Sequence, residues 1–320
     1  METFYLHDLD PVALQLGEQF AVRWYGLAYA FGFIFGFLWL RWAAQKNALR
    51  LEPQQVGDFL TWVALLGVFF GGRLGYFLLG YSEKPIWEDP LAVVQIWKGG
   101  MASHGAIFAV GVVVFVYAKL NKKSWLNLGD HLVSIAPIGI FLGRLANFVN
   151  GELYGRPFQG SWAVQFPAEL YYRSWETVQT VTQQASDLLG RTVHLGEVIQ
   201  AVPHAPELKP VLAEVLTPRH PSQIYEALAE GLFLFVILQA IFYMWRKRSG
   251  AYPPDGFITG CFFLLYAIAR IGCEFFREPD ADLILGLTAG QFFSLFMILA
   301  AAVFFWLSLR PKRESQPASP

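Results

Sequence analysis

The run HLVSIAPIGIFLGRLANFVNGELYG, His131 to Gly155, is mostly apolar up to Val149 and polar afterwards. A helix needs ~20 such residues to cross hydrocarbon, so His131 to Val149 predicts a membrane span. Arg144 lies inside that span. A cation there is costly unless it faces a polar cavity, which makes it a functional-site candidate. Arg144 and Asn147 are three residues apart and share a helix face. Asn150 and Glu152 follow at the helix end, where Gly151 and Gly155 permit a tight turn. A guanidinium beside a carboxamide suits a phosphate or carboxylate. A structural salt bridge between Arg144 and Glu152 fits the spacing as well.

The rest of the chain is of the same kind. Of 320 residues, 55% are hydrophobic and 15% charged, below the roughly one quarter charged in soluble domains. This predicts an all-α membrane protein. Six further spans are expected at Phe20 to Leu40, Val56 to Gly80, Met101 to Tyr117, Ile224 to Trp245, Phe257 to Phe276 and Gly290 to Leu309. The net charge of −1 argues against a nucleic-acid partner. Cys261 and Cys273 fall on one predicted helix, ~18 Å apart, too far for a disulfide. No Cys/His cluster suggests a structural metal, and no cleavable signal peptide is expected.

Basic residues set the orientation. They follow the odd-numbered spans: Arg41, Lys46 and Arg50; Lys119, Lys122 and Lys123; Arg246, Lys247 and Arg248; Arg310, Lys312 and Arg313. The loop between spans two and three sets Lys84 and Lys98 against Glu83, Glu88 and Asp89. The N-terminus is therefore expected outside and the C-terminus in the cytoplasm. Residues 1–310 form the membrane domain, and the polar tail at 311–320 is expected to be disordered. The stretch from Asn150 to Ser222 becomes an outer loop. Its polar part, Ala168 to Thr217, reads as an insertion without a catalytic role, built of short amphipathic helices. Deleting Leu170 to Pro210 should then leave activity on a short peptide largely intact.

This orientation puts Arg73, Arg144 and Arg270 in the outer halves of their spans, with Tyr25 and His104 at a similar depth. Tyr266, Arg270, Glu274 and Arg277 follow at intervals of four, four and three and form one helical stripe. The stripe is either a net positive site, with Glu274 orienting its neighbours, or a structural charge ladder. Arg277 has the further option of reaching headgroups. Arg73 lies among Gly71, Gly72 and Gly75, which allow close helix contact; packing with an internal salt bridge fits equally. His104 opens the third span among small residues and is either a proton-transfer group or a helix-end hydrogen-bond partner. In PRHPSQIYE, Pro218 to Glu226, Ser222 is expected to cap the fifth span.

These motifs resemble a family. GRLANFVNGELYG fits, position by position, the signature G-R-x-[GA]-N-F-apolar-N-x-E-x-x-G of bacterial phosphatidylglycerol–prolipoprotein diacylglyceryl transferases. The resemblance continues through WYGLAY at Trp24, GGRLGYFLLG at Gly71, GGMASHGA at Gly99, RHPSQIYE at Arg219 and FFREPDA at Phe275. It departs at Ala106, where the family has His-Gly-Gly and this chain His104-Gly105-Ala106, and at the insertion. The resemblance implies transfer of diacylglyceryl from phosphatidylglycerol to the lipobox cysteine of a prolipoprotein, without metal or soluble cofactor. It implies a multi-pass inner-membrane enzyme, among membrane lipids, with its site facing the periplasm. It points to Arg144 and Arg270 as essential and to Tyr25, His104, Asn147, Glu152, Gly155 and Tyr266 as supporting. Asn150, Arg73, Glu274 and Arg277 are expected nearby as substrate-binding residues.

An anion transporter or channel would also explain intramembrane arginines, but such sites usually lie near the midplane. An intramembrane protease would need a Ser-His pair, a carboxylate pair or zinc, none of which stands out. A lipid-binding scaffold is separated from an enzyme only by assay.

Overall fold

Helix dominates because the chain has long apolar segments whose backbone groups must be satisfied internally. The computed structural model describes residues 4–310, apart from 18–20, 81, 83–85, 96–98 and 280–282. The expected disordered tail, with Lys312 and Arg313, lies outside the described residues, as do Glu83, Lys84 and Lys98. Among the described residues, seven helices are long and apolar enough to span a membrane. They are Trp24–Gln45, Gln55–Leu78, Ser103–Leu120, Trp125–Val149, Ser222–Ser249, Phe257–Glu274 and Ala289–Leu309.

Two boundaries differ from expectation for physical reasons. The first helix starts at Trp24 because Ala21–Arg23 is extended and pairs antiparallel with Val12–Gln15. The fourth starts at Trp125, earlier than expected, because its polar first turns are buried and used. Ser124 Oγ accepts the Asn127 N–H at 3.3 Å, and Asn127 Nδ2 donates to the Ala48 carbonyl at 3.1 Å. Asp130 accepts the Gly256 and Thr259 N–H groups at 2.7 Å each, holding the start of the sixth span. The all-α expectation also needs correction. A small sheet pairs Tyr5–Leu6 parallel to Val164–Gln165, which in turn runs antiparallel to Pro218–Arg219.

The chain divides into two units. The second comprises 33–136, 237–263 and the chain from residue 300. Its core gathers Leu40, Leu49, Val56, Phe59, Val114, Tyr117 and Leu128. Here the glycines of the second span do what their spacing suggested: a Cβ on Gly75 would lie 2.6 Å from the Gly105 Cα, so the second and third spans meet backbone to backbone.

The first unit comprises 1–32, 137–236 and 264–299. It contains the segment between the fourth and fifth spans, whose helices Trp175–Leu189, Leu195–Ala201 and Lys209–Val215 surround a core of their own. That core holds Leu170, Val181, Ala185, Val198, Val202, Leu208 and Leu212, and it includes Leu6 from the N-terminal strand. Lys209 also pairs with Asp8 at 2.5 Å. The segment is thus folded into the unit rather than hung from it, and the deletion of 170–210 is not innocuous. It would strip most of this core from Leu6, Leu212 and Leu216, and loss of a single buried aliphatic side chain already costs about 2–5 kcal/mol. The expected result is failure to recover folded protein by size-exclusion chromatography. A monodisperse variant with wild-type melting would restore the dispensable reading.

Candidate active site

Two polar constellations form within the first unit, from spans that each bring a costly group. The first centres on the fifth span. Ser222 does not cap its own helix, as expected, but donates through Oγ to the Leu153 carbonyl at 3.1 Å. Gln223 Nε2 likewise donates to the Glu152 carbonyl at 2.7 Å. One turn on, Glu226 and Glu230 are fully buried. Their spacing of four puts both carboxylates on one face, and that face meets the arginines.

Glu226 is the hub. Its Oε1 accepts from Arg270 Nη1 at 2.7 Å and from Arg277 Nη1 at 3.1 Å, while its Oε2 faces Arg144 Nη1 at 3.1 Å. Glu230 takes Arg270 Nη1 at 3.1 Å, Arg144 Nη2 at 3.4 Å and the Tyr266 hydroxyl at 3.3 Å. Glu274 pairs closely with Arg270 on its own helix. Three arginines therefore meet three carboxylates, which corrects the expectation of a net positive stripe. Arg277 is also corrected: it is buried on Glu226 rather than extended toward headgroups.

The arginines are not equally committed. Arg270 has three carboxylate partners at close range. Arg144 has a long contact to Glu230, and its pairing with Glu226 Oε2 lacks a directed hydrogen bond. The Arg144 and Arg270 side chains keep 17% and 14% of their surface accessible, whereas both fifth-span carboxylates keep none. The anions thus lie beneath the cations. A guanidinium has five donors in a fixed fork, so donors remain for an incoming anion, most readily on Arg144.

The second constellation joins the first and fourth spans. Tyr25 donates its hydroxyl to Glu152 Oε1 at 2.6 Å. Asn147 Nδ2 donates to the same oxygen at 2.9 Å and also contacts the Tyr25 hydroxyl. Glu152 therefore serves Tyr25 and Asn147, and the alternative salt bridge from Arg144 is replaced by pairing to Glu226 and Glu230. Asn150 ends the fourth helix, with its N–H on the Ala146 carbonyl at 2.9 Å. Gly155 follows in an isolated β-bridge outside the strands. Its N–H donates to the His220 carbonyl at 2.9 Å, and it bridges antiparallel to Arg277. A side chain at Gly155 would strike the Phe276 and His220 carbonyls, so only glycine fits there.

Arg73 and His104 belong to the second unit. Arg73 is buried, and its donors go to backbone: to the Ala92 and Gly100 carbonyls at 3.0 Å each and to that of Gly99. Its guanidinium also lies over the Phe77 ring at 5.0 Å. In place of the expected internal salt bridge, Arg73 donates to the loop that follows its own span. His104 is exposed at the second residue of the third span.

Sequence reasoning missed Glu230 and gave Glu226 only a place in a capping turn. The signal was present. A carboxylate deep in an apolar segment is as costly as an arginine, and the same rule that selected Arg144 selects both.

Comparison with known proteins gives a consistent result. A family model described as prolipoprotein diacylglyceryl transferase matches residues 11–307. The phosphatidylglycerol–prolipoprotein diacylglyceryl transferase of Bdellovibrio bacteriovorus is 37% identical, covering 93% of this chain and 92% of that protein. The proteins of the same name from Allorhizobium ampelinum and Phenylobacterium zucineum are 35% and 37% identical, each over 97% of this chain.

Proposed function

The chain belongs to the prolipoprotein diacylglyceryl transferase family, and from this premise we propose that it transfers the diacylglyceryl group of phosphatidylglycerol to the lipobox cysteine of a prolipoprotein. The thiolate attacks the glyceryl carbon that bears the phosphoester. The sulfur–carbon bond forms as the carbon–oxygen bond breaks, and glycerol 1-phosphate leaves with the electron pair. The thiol proton is lost as the thiolate forms.

Charge grows on the departing phosphate oxygen, so fixed donors aimed there lower the barrier. The observation that carries this reading is the pair of partly accessible guanidiniums, Arg144 and Arg270, resting on fully buried carboxylates. The carboxylates orient the forks in advance, so little reorganisation is needed when the phosphate arrives. Arg144, with the weakest ties, is the phosphate grip, and Arg270 is the fixed cation beside it. Tyr25, Asn147 and Glu152 shape the adjoining wall, and Gly155 admits the substrate close to backbone.

Position along the spans favours this reading over transport. Arg144 lies five residues before the end of its helix at Val149, and Arg270 four before Glu274. At 1.5 Å per residue both are about 6–8 Å from a helix end, not at the midplane where transporter sites lie. With the outward orientation that the basic loops imply, the site opens on the periplasmic side of the inner membrane.

A free thiol has a pKa of ~8.5 and needs modest help to ionise. His104 is the proposed base. His104→Gln is expected to lower turnover at neutral pH severely, with recovery as the pH is raised toward the thiol's own range. A mild loss instead assigns thiol activation to the arginines. The function itself is tested with detergent-purified protein, phosphatidylglycerol and a lipobox peptide. A diacylglyceryl thioether on the peptide cysteine supports it, and an unmodified peptide with folded enzyme rejects it.

A further inference from the structure

The insertion reaches the site through one carboxylate. Glu169, at its start, is buried, with 3% of its surface exposed. Its Oε1 pairs with Arg219 Nη2 at 3.1 Å and with Arg173 Nη2 at 3.0 Å. Its Oε2 accepts the Thr217 N–H at 3.1 Å, at the far end of the same insertion. Arg219 spreads its fork further. Its Nη1 donates to the Gly155 carbonyl at 3.2 Å and pairs with Glu278 at 2.9 Å, and its guanidinium lies 5.0 Å over the Tyr154 ring. Burial alone would work against the Arg219 charge, but Glu169 and then Glu278 more than reverse this.

The segment held by Arg219 is the one on which the site depends. Gly155 bridges to Arg277, whose guanidinium sits on Glu226. Arg156 extends the same clamp, donating its N–H to the Phe276 carbonyl at 2.9 Å and its Nε to the Arg277 carbonyl at 3.0 Å. Three residues before Gly155 stands Glu152, which binds Tyr25 and Asn147. A shift of this segment would displace both constellations together.

We propose that Glu169 is a positioning residue: from within the insertion it fixes Arg219, and through the Arg219 contact to the Gly155 carbonyl it sets the bridged segment that aligns Glu152 and Arg277. The insertion is thereby part of the catalytic frame of this chain. The inference rests on the transferase reading above, so the wild-type protein is assayed first; an inactive, folded wild type rejects that reading and not this one.

Given active wild type, Glu169→Gln is expected to lower kcat about 10- to 100-fold, the upper figure being the cost of a misplacement of about 1 Å. KM for phosphatidylglycerol should stay near wild type, since Glu169 touches no lipid. The double variant Glu169→Gln with Arg219→Gln is expected to be no slower than Arg219→Gln alone, because the effect passes through Arg219. Arg173→Gln, which breaks the other ion pair of the same carboxylate, is expected to keep wild-type kcat. Unchanged kcat in Glu169→Gln overturns the proposal. So do multiplicative losses in the double variant, or an equal loss in Arg173→Gln, which would mean that Glu169 serves only the stability of the insertion. Should Glu169→Gln fail to fold, Glu169→Asp keeps the charge and withdraws it by one methylene, and its kcat is read in the same way.

Discussion

Arg144→Ala and Arg270→Ala are each expected to abolish thioether formation while the protein still inserts in the membrane. The two losses should differ in origin. Arg144 has a contact of 3.4 Å to Glu230 and an undirected one to Glu226. Its removal leaves both carboxylates still paired to Arg270, so the fold should survive and the lost activity reports the chemistry. Arg270 pairs closely with Glu274 and is the closest of the described partners of Glu226. Its removal strands buried anions, and breaking such a pair costs about 3–5 kcal/mol. Arg270→Ala should therefore lower the melting temperature sharply as well. Arg144→Lys separates charge from geometry: it keeps the cation and loses the planar fork, and turnover should remain far below wild type. Purified variants assayed with phosphatidylglycerol and a lipobox peptide decide this. Near-normal turnover in Arg144→Ala removes that residue from the mechanism.

Glu226→Gln is expected to have the second-largest effect. Arg144, Arg270 and Arg277 all meet at this one carboxylate, which has no exposed surface. Neutralising it leaves three guanidiniums facing Glu230 and Glu274. Like charges then repel in a setting of low dielectric, where such terms are strong. The expected outcome is a lower melting temperature together with loss of most activity. Glu230→Gln should be milder, since Glu230 contacts Arg144 and Arg270 at longer range than Glu226 does. Thermal unfolding followed alongside turnover checks the order. A stable, active Glu226→Gln would show that Glu230 and Glu274 organise the arginines unaided.

Much of this was legible in the sequence for one reason: hydrocarbon makes a polar residue conspicuous. The seven spans followed from apolar length, and Arg144, Arg270, Tyr266 and Asn147 stood out against their surroundings. Partner choice was not legible. Arg144 pairs with Glu226 and Glu230, more than eighty residues away, whereas the near neighbour Glu152 turned to Tyr25. Local spacing favours a partner on the same helix, while packing supplies one from another. Arg73 is a second case of partner choice that spacing does not reveal. Its sequence setting matches that of Arg144, yet its donors are taken by the carbonyls of its own loop, which no side-chain pattern announces. The core of the segment between the fourth and fifth spans was hidden for a third reason. Polar composition suggested an appendage, but a few buried aliphatics, with Leu6 supplied from the N-terminus, are enough for a core.

If the Arg144 guanidinium stabilises the departing phosphate, single-turnover thioether formation in Arg144→Ala should give negligible product by itself. Guanidinium ion added to the solution should restore part of it, as the free cation fills the space that the side chain left. Thioether at a near wild-type rate without added guanidinium would contradict that role.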